Sequence, residues 1–316
     1  MLDSWLHRME TFSGHFLRLC LSNLPLSLYH DHYFEKGVSF TILTKNDPWL
    51  LESLVSVHHL ADEIVIIDSS DDSDYIKYND MIVNKLKGKV VINYIFEDMR
   101  ITQARRRAKS ESSKEIIVHW DADMVALDNG PGSLSKIINL VKSIKVKKVV
   151  YFPLLTPYND LTKVVTKPID IEGWIFSNTT KELYRPRSAA PNSEKFVEGF
   201  NPPKYFRRIV LNSFGGIHLK YVVPSEKTMY KQYDGYLIND KLVEKYGDYK
   251  SMRENLKEFS PDKEPNWEPY NESIYGSYPK ILERFVGLLK QDIIKIKQDE
   301  IKNMSITPDI QDMIDS

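Results

Sequence analysis

Residues 114–128 read "KEIIVHWDADMVALD", and this segment carries the clearest structural signal in the chain. Its β-branched and apolar residues predict a buried strand, which stops at Asp121-Ala122-Asp123. Side chains at i and i+2 of an extended segment point to the same face, so we expect Asp121 and Asp123 to present their carboxylates to one object. A divalent cation is the candidate, although Asp is also common wherever a strand turns into a loop.

Strands and helices alternate on both sides of this segment. The pattern predicts strands at 38–44, 63–68, 90–96 and 148–155, and helices that begin at Asp47-Pro48 or cover 74–86, 101–110 and 131–144. Such alternation is typical of an α/β fold, with a Rossmann-like, mostly parallel sheet and helices on both faces. Ligands of these sheets bind at the carboxyl ends of the strands.

Polar residues gather at those predicted strand ends. Thr44 and Asn46 follow the first strand, Asp68 closes the second, and Asp121 and Asp123 close the fourth. Because the carboxyl ends of parallel strands meet at one edge of a sheet, the sequence predicts a single ligand site there.

Composition limits the classes of function. The chain has 316 residues, 42% hydrophobic and 28% charged, enough for one large or two modest domains. A net charge of -1 gives no overall basic field for nucleic acid or anionic membrane, so we expect no nucleic-acid partner. The single cysteine, Cys20, excludes an internal disulfide framework and favours the cytoplasm.

The two ends of the chain carry amphipathic patterns without chemistry. We divide the chain into an N-terminal helical extension (1–36), a catalytic domain (37–224) and a mainly helical C-terminal extension (225–316). Apolar residues at spacings of three and four predict one long helix over 279–304, which would pack on the catalytic domain, on a second copy as a homodimer, or on a membrane surface. Nowhere does the chain offer the roughly 20 apolar residues of a membrane span.

Four segments in order carry a family resemblance. They resemble the successive blocks of family 2 glycosyltransferases with the GT-A fold, in particular a bacterial and archaeal branch with Phe-Arg-Arg followed by Gly-x-Ile-His. The segments are "VSFTILTKND" (38–47), "EIVIIDSSDDSD" (63–74), "TQARRRAKSESSKEIIVHWDADMV" (102–125) and "PKYFRRIVLNSFGGIHLKYV" (203–222).

The resemblance implies a sugar donor linked to a nucleoside diphosphate. Asp121 and Asp123 match the family's Asp-x-Asp motif, whose carboxylates hold Mn²⁺ or Mg²⁺ against the diphosphate. Arg105 matches an arginine that faces the nucleotide, and a guanidinium neutralises phosphate oxygens well. Asp68 matches the acceptor of hydrogen bonds from the nucleoside. The implied nucleotide-sugar-binding residues are Thr44, Asn46, Asp68, Arg105 and Asp121.

The acceptor side of the implied site departs from the family pattern. His218, after Gly215-Gly216 where the backbone can approach a ligand closely, matches Gly-x-Ile-His and is a candidate metal ligand. Inverting transfer needs a carboxylate base, yet the Glu-Asp pair of many relatives does not occur between Tyr151 and His218. Glu198 is the first candidate for the base and Glu172 the second. His119 is interpreted as structural, and Trp174 and Phe200 either stack on a sugar or belong to the core.

The sequence therefore predicts a metal-dependent glycosyltransferase that acts on a glycan, lipid or protein acceptor. Two alternatives stay open. The missing Glu-Asp pair is compatible with a catalytically decayed nucleotide-binding scaffold on the same fold. A haloacid dehalogenase-type phosphohydrolase also places Asp-x-Asp after a parallel strand, but on the first strand of its core, whereas three strands precede Asp121 here.

Overall fold

The computed structural model describes ten segments of the chain. These are residues 34–99, 101–130, 132–157, 160–167, 171–181, 183–186, 198–200, 202–203, 205–223 and 266–315. Most of the predicted N-terminal extension and the first part of the predicted C-terminal extension lie outside these described residues. No helix within the described segments is long and apolar enough to cross a membrane.

The strands form one large sheet and two small ones. Their bounds are β1 Glu35–Thr44, β2 Glu63–Asp68, β3 Val91–Phe96, β4 Lys114–Asp121, β5 Met124–Ala126, β6 Lys148–Leu155, β7 Lys163–Lys167, β8 Ile171–Ser177, β9 Tyr184–Pro186, β10 Glu198–Phe200, β11 Arg207–Val210, β12 Gly216–His218 and β13 Asn266–Pro269. The large sheet has the order β3-β2-β1-β4-β8-β6-β12-β5, with β11 also beside β6. β9 pairs with β10, and β7 pairs with β13.

The first four strands are parallel. β2 and β3 lie on one side of β1, and β4 lies on the other side. β1 pairs with β2 on one side and with β4 on the other, so it lies where the strand order switches. β8 runs antiparallel between β4 and β6. The predicted α/β class with a mostly parallel sheet is therefore confirmed, and the switch between β1 and β4 is where such sheets bind ligands.

The helices are named in chain order. They are α1 Leu50–Val57, α2 Ser73–Leu86, α3 Ile101–Glu111, α4 Leu134–Ser143, α5 Glu272–Tyr275, α6 Lys290–Asn303 and α7 Pro308–Asp315. Short 3-10 turns cover His58–Leu60 and Lys280–Phe285.

The side chains of β2 show that both faces of the sheet are covered. Ile64 and Ile66 belong to the main core, which also contains residues of α1, α2, α4, α6 and α7. Val65 and Ile67 point the other way and pack with Ala104 of α3. This period of two, buried on both faces, explains why the strand is apolar between Glu63 and Asp68.

Helix α1 is buried along its whole length, including its polar residues. Each buried polar side chain therefore needs a partner. Ser53 Oγ donates to the Asp121 carbonyl at 3.2 Å. Ser56 Oγ donates to the Ser53 carbonyl at 2.8 Å and accepts from the Ala126 amide at 3.0 Å. The two hydroxyls thus fix the end of β4 and the end of β5 to α1.

The start of α1 differs from the prediction. Asp47-Pro48 was expected to begin the helix, but the helix begins at Leu50 and has no side-chain cap. Asp47 Oδ1 instead accepts from the Trp49 amide at 3.0 Å, which closes a turn before the helix.

The predicted long helix over 279–304 is also wrong. The chain forms a 3-10 turn to Phe285, passes Gly287 at φ 83°, and resumes as α6 at Lys290. A φ in this region suits glycine and ends a right-handed helix. Phe285 and Ile293, on either side of the break, both lie in the main core.

Candidate functional site

The candidate site lies at the carboxyl ends of β1, β2 and β4. Register pairs Thr44 with Asp68 and Leu43 with Asp121, so these ends are adjacent. The backbone fixes their spacing, because the Ala122 amide donates to the Leu43 carbonyl at 3.1 Å. The residues predicted from the three strand ends are therefore brought together.

Asp68 is fully buried and accepts three hydrogen bonds. Its Oδ1 accepts from the Ser70 amide at 2.8 Å, and its Oδ2 accepts from Asn79 Nδ2 at 2.8 Å and from Tyr94 Oη at 2.6 Å. Burial, followed by the hydrogen bond to Asp68, raises the pKa of Tyr94, so this phenol stays protonated and donating. In this arrangement Asp68 organises the loop that follows β2.

Asn46 joins the loops after β1 and β2. Its backbone is left-handed at φ 48°, a conformation that Asn tolerates better than most residues. Its side-chain oxygen accepts from the amides of Asp71 and Asp72, both at 3.2 Å, and its amide nitrogen donates to Asp71 Oδ1. The side chain of Asn46 therefore holds the loop after β2 in place through hydrogen bonds from the backbone amides of Asp71 and Asp72.

Thr44, unlike Asn46, has a buried hydroxyl that bonds to none of the described residues. Thr44 Oγ1 makes no hydrogen bond to any part of the chain that the structure describes, although Thr44 is only 5% exposed. A buried hydroxyl without a partner is costly, so this atom is a natural contact for a ligand or water at the end of β1.

The Asp-x-Asp segment is a turn between two strands that do not pair with each other, not a continuous strand. β4 ends at Asp121, Ala122 and Asp123 form the turn, and β5 begins at Met124. The side chain of Asp121 is 24% exposed, whereas that of Asp123 is 1% exposed. The alternation expected from an extended strand therefore does not apply beyond Asp121.

Asp121 is paired with Arg105 of α3. Arg105 Nη2 donates to Oδ1 and Oδ2 of Asp121, both at 3.1 Å. Arg107, on the same helix, pairs instead with Glu111 at 3.1 Å on the exposed side. Of these two arginines, it is thus Arg105 that reaches the strand ends.

Asp123 is paired with His218 at the end of β12. His218 Nε2 lies 3.4 Å from Asp123 Oδ1, and the Leu219 amide donates to the Asp123 carbonyl at 2.7 Å. The structure therefore places the predicted ligand His218 beside the Asp-x-Asp segment, 95 residues along the chain from Asp123 (218 minus 123).

The two glycines before His218 serve the core. A Cβ on Gly216 would lie 2.8 Å from the Trp120 ring and from the Val125 carbonyl, and a Cβ on Gly215 would overlap the Phe152 ring. The expectation that Gly215-Gly216 brings backbone close to a ligand is thus replaced by close packing on aromatic rings. That packing is what lets β12 carry His218 to Asp123.

The fit of a divalent cation to these residues is partial. Carboxylate oxygens and an imidazole are suitable donors for Mn²⁺, and Asp123 and His218 are already adjacent. However, no three His, Cys, Asp or Glu side chains in the described segments are grouped to hold a metal ion. The structure therefore brings two of the three predicted ligands, Asp123 and His218, together, while Asp121 is bound to Arg105.

His119 and its aromatic neighbours lie just below the site. Its ring packs edge-on against Phe176 at 4.7 Å and Phe200 at 5.7 Å between centroids. Burial, with a smaller contribution from the charge of Arg105, holds the pKa of His119 well below 6.5, so the imidazole is neutral. Trp174 is buried and donates to the Phe152 carbonyl at 2.8 Å, which places it in the core.

The two candidate bases are described by their backbones, while their side chains lie outside the described part of the structure. Glu172 stands near the start of β8, and register pairs it with Phe152. Because β8 is antiparallel to β4, its start lies at the edge where β4 ends. Glu198 begins β10, whose Phe200 packs on His119.

Sequence reasoning missed the residues that hold the site in place. Asn79 and Tyr94 hold Asp68, and Ser53 and Ser56 hold the ends of β4 and β5. Asn79 offered one signal, since it lies on the apolar face of α2 between Tyr78 and Ile82, where a polar residue requires a partner.

Comparison with known proteins gives distant likenesses in structure. No family model matches the chain, and no curated protein matches it. S. aureus TarS 1–349 has 13% sequence identity and a TM-score of 0.39 over 66% of each chain. GalNAc-T7 solved with UDP, GalNAc and Mn²⁺ has 20% identity and a TM-score of 0.30 over 40% of this chain. The inositol-1-phosphate CTP transferase from T. maritima has 10% identity and a TM-score of 0.36 over 59% of this chain.

The likenesses cover limited parts of those proteins. This chain spans 66% of the TarS fragment and 24% of GalNAc-T7, against 91% of the T. maritima protein. Likenesses with TM-scores below 0.5 assign no activity to this chain.

Proposed function

We propose that the chain is a glycosyltransferase that moves a sugar from a nucleoside-diphosphate sugar to an acceptor hydroxyl. The observation that carries the proposal is the cluster at the end of β4. There Asp121 contacts Arg105 and Asp123 contacts His218, at the switch between β1 and β4. The guanidinium at this edge suits an anionic diphosphate, and the two carboxylates and the imidazole would suit a divalent cation that accompanies it.

The charged groups have distinct roles in this proposal. Arg105 neutralises the diphosphate as it leaves, because a guanidinium donates two hydrogen bonds to phosphate oxygens. Asp121, Asp123 and His218 would hold Mn²⁺ or Mg²⁺, which supplies further positive charge against the diphosphate when bound.

The adjacent ends of β1 and β2 would receive the nucleoside. Thr44 Oγ1 is buried without a hydrogen bond to the described residues and lies at the end of β1. Asp68 lies beside it in the sheet, and its buried carboxylate holds the loop after β2 in place. A ribose hydroxyl or base amide that bonded Thr44 would remove the cost of its missing partner.

The base that deprotonates the acceptor is proposed to be Glu198, with Glu172 as the alternative. The preference for Glu198 rests on its place before the segment that resembles the acceptor-side block of family 2 enzymes. The place of Glu172 near the start of β8, at the edge where β4 ends, supports the alternative. Either carboxylate would take the proton of the attacking hydroxyl.

Binding of the donor tests the proposal first. The full-length protein is screened by thermal shift against nucleoside diphosphates and nucleotide sugars, with and without Mn²⁺, because a ligand of the native state raises the melting temperature. We expect at least one nucleotide sugar to stabilise the protein in a Mn²⁺-dependent manner. Asp121→Asn and Asp123→Asn should remove that dependence, whereas Asp299→Asn, an exposed control on α6, should keep it.

Turnover of the donor then separates the proposal from its alternatives. Transfer or slow hydrolysis of the sugar, with release of the nucleoside diphosphate, supports it. Nucleotide binding without turnover would favour the decayed scaffold, and phosphate release from a simple phosphate ester would favour the phosphohydrolase. Release of pyrophosphate from a nucleoside triphosphate would instead identify a nucleotidyltransferase.

A further inference from the structure

Strand β3 forms an open edge of the large sheet. It is the first strand in the sheet order and pairs on one side only, with β2. The Glu97 amide donates to the Asp68 carbonyl at 3.0 Å, so the odd-numbered amides of this segment face β2. The amides of Ile92, Tyr94 and Phe96 therefore point to the outer side, where no other strand of the described segments lies. This row of backbone groups is available to a further strand.

The sequence of β3 does not protect this edge. Edge strands of natural sheets are commonly interrupted by a proline, a charged side chain or a β-bulge. The strand Val91–Phe96 contains no proline and no charged residue, and its register with β2 is continuous. Val91 is 66% exposed and Phe96 is 53% exposed, so both ends of the strand present apolar surface to solvent. Such an edge favours pairing with another strand.

The charges that flank β3 are complementary between two copies of the chain. A two-fold axis through Asn93, perpendicular to the sheet, pairs two antiparallel β3 strands so that opposite residues have numbers that add to 186 (twice 93). Lys89 of each copy then lies opposite Glu97 of the other, and both residues are exposed. An axis through a residue next to Asn93 would instead place Lys89 opposite Ile95 or Met99. The charges therefore select the axis through Asn93.

The same register suits the backbone of β3. Ile92 of one copy lies opposite Tyr94 of the other, and both have outward-facing amides. Such a pair exchanges two N–H···O=C hydrogen bonds in an antiparallel ladder. Phe96 lies opposite Val90, and pairs of an aromatic and a β-branched residue stabilise adjacent strands. Backbone, apolar and charged groups thus fit in one register.

The contacts that these side chains make within one chain allow the pairing. Lys89 Nζ donates to the Asp315 carbonyl at 3.1 Å, and an ammonium group has two further protons. Asn93 Nδ2 donates to Glu111 Oε2 of α3 at 3.3 Å, so the Asn93 side chain points to a face of the sheet and not across its edge. Neither contact has to break when a second strand arrives.

We propose that β3 is a homodimer interface, in which two copies of the chain pair their β3 strands antiparallel about a two-fold axis through Asn93. The large sheet then continues from one copy into the other. Because the paired strands run in opposite directions, the two candidate sites lie at opposite edges of the joined sheet, and each stays accessible. The inference goes beyond the proposed function and does not depend on it.

The interface is small, so the dimer should depend on protein concentration. β3 has six residues, and contacts of this size belong to the weak class of specific protein interfaces. We expect a dissociation constant of about 10 µM. The mass measured by sedimentation of the full-length protein should approach twice 36.9 kDa at about 200 µM and fall to 36.9 kDa at about 0.5 µM.

Exchange of the flanking charges tests the register. Lys89→Glu and Glu97→Lys each place like charges opposite one another at two symmetric positions, and each should weaken dimerisation about 10- to 30-fold. The double variant Lys89→Glu with Glu97→Lys restores opposite charges and should recover the wild-type dissociation constant within about threefold. Lys142→Glu makes the same change at an exposed position of α4 and should match the wild type. Circular dichroism verifies that each variant is folded.

Hydrogen exchange at the amides of Ile92 and Tyr94 gives a second readout. Both amides should exchange several-fold more slowly in the concentrated wild type than in the dilute protein. Protection that is already complete in the dilute protein would show that the chain covers this edge itself, which would overturn the inference. A wild type that stays monomeric at about 200 µM would also overturn it. So would dimerisation that Lys89→Glu leaves unchanged, or a double variant that dimerises no better than the single variants.

Discussion

Replacing Glu52 by Gln should destabilise the protein strongly, because Glu52 neutralises two buried cations. Glu52 is fully buried, and its Oε1 and Oε2 lie 2.7 Å and 2.9 Å from Lys297 Nζ. Arg284 Nη2 donates to the same Oε1 at 2.8 Å. Glu300 completes the group, with Lys297 Nζ at 2.8 Å from its Oε2 and Arg284 also bound. Two carboxylates and two cations thus balance between α1, the 3-10 turn and α6.

The expected loss in the free energy of unfolding follows from that charge balance. Glu52→Gln keeps the shape of the side chain but leaves Lys297 and Arg284 facing Glu300 alone, with one positive charge uncompensated. Removing one partner of a buried ion pair typically costs about 3–5 kcal/mol. Because the Arg284 side chain is 22% exposed, water screens part of this charge, and we expect about 3 kcal/mol. At roughly 2–4 °C per kcal/mol, the melting temperature should fall by about 6–12 °C.

Urea unfolding followed by tryptophan fluorescence measures the free energy of unfolding. The exposed Glu97→Gln is the matched control and should leave that free energy within about 0.5 kcal/mol of the wild type. The double variant Glu52→Gln with Lys297→Met removes one charge of each sign and should recover most of the loss. If Glu52→Gln itself stayed within about 0.5 kcal/mol of the wild type, the reasoning on the buried charges would be refuted.

Three further predictions address the site and the sheet. Tyr94→Phe removes a donor from buried Asp68 and should lower the free energy of unfolding by about 1–3 kcal/mol and weaken nucleoside monophosphate binding, so unchanged values for both would exclude the role of that hydrogen bond. Glu198→Gln should lower transfer about 10²- to 10⁴-fold with donor affinity intact, and full transfer there together with loss in Glu172→Gln would exchange their roles. Burial lowers the pKa of Lys148 from 10.5 to about 8. The charged form of Lys148 therefore destabilises the folded state below about pH 8, and this destabilisation is lost as the pH rises toward 10.5. Lys148→Met should therefore raise the free energy of unfolding in urea at about pH 7 and show little gain at about pH 10, whereas an equal gain at both would contradict the linkage.

The strands of the sheet were largely predictable from the sequence, and the C-terminal helix was not. The predicted bounds 63–68 and 148–155 agree with β2 and β6, because short apolar runs between polar turns have few other ways to be buried. In the tail, the spacing of three and four continued across Gly287, although the helix breaks there. Residues on both sides of the break face the same core, so the spacing of apolar residues alone did not reveal that the helix is interrupted.

The meeting of three polar strand ends at one edge was predictable, and the pairing of their side chains was not. Alternation of strands and helices was enough to bring Thr44, Asp68 and Asp121 to one edge. That Arg105 would reach Asp121 depends on how α3 is rotated on β2, which the packing of two alanines decides. The contact of His218 depends likewise on close packing between β12 and Trp120, across a separation that no local pattern encodes.

The attachment of the tail to α1 limits how this chain can be shortened. Phe285 packs edge-on against Trp49 at 5.2 Å, and the Trp49 indole donates to the Val222 carbonyl at 2.7 Å. A chain cut before Lys280 would expose Trp49 and the apolar side of α1 as a hydrophobic surface patch. The same helix carries Ser53, which donates a hydrogen bond to the Asp121 carbonyl. Such a shortened chain should self-associate in solution before any loss at the strand ends could be measured.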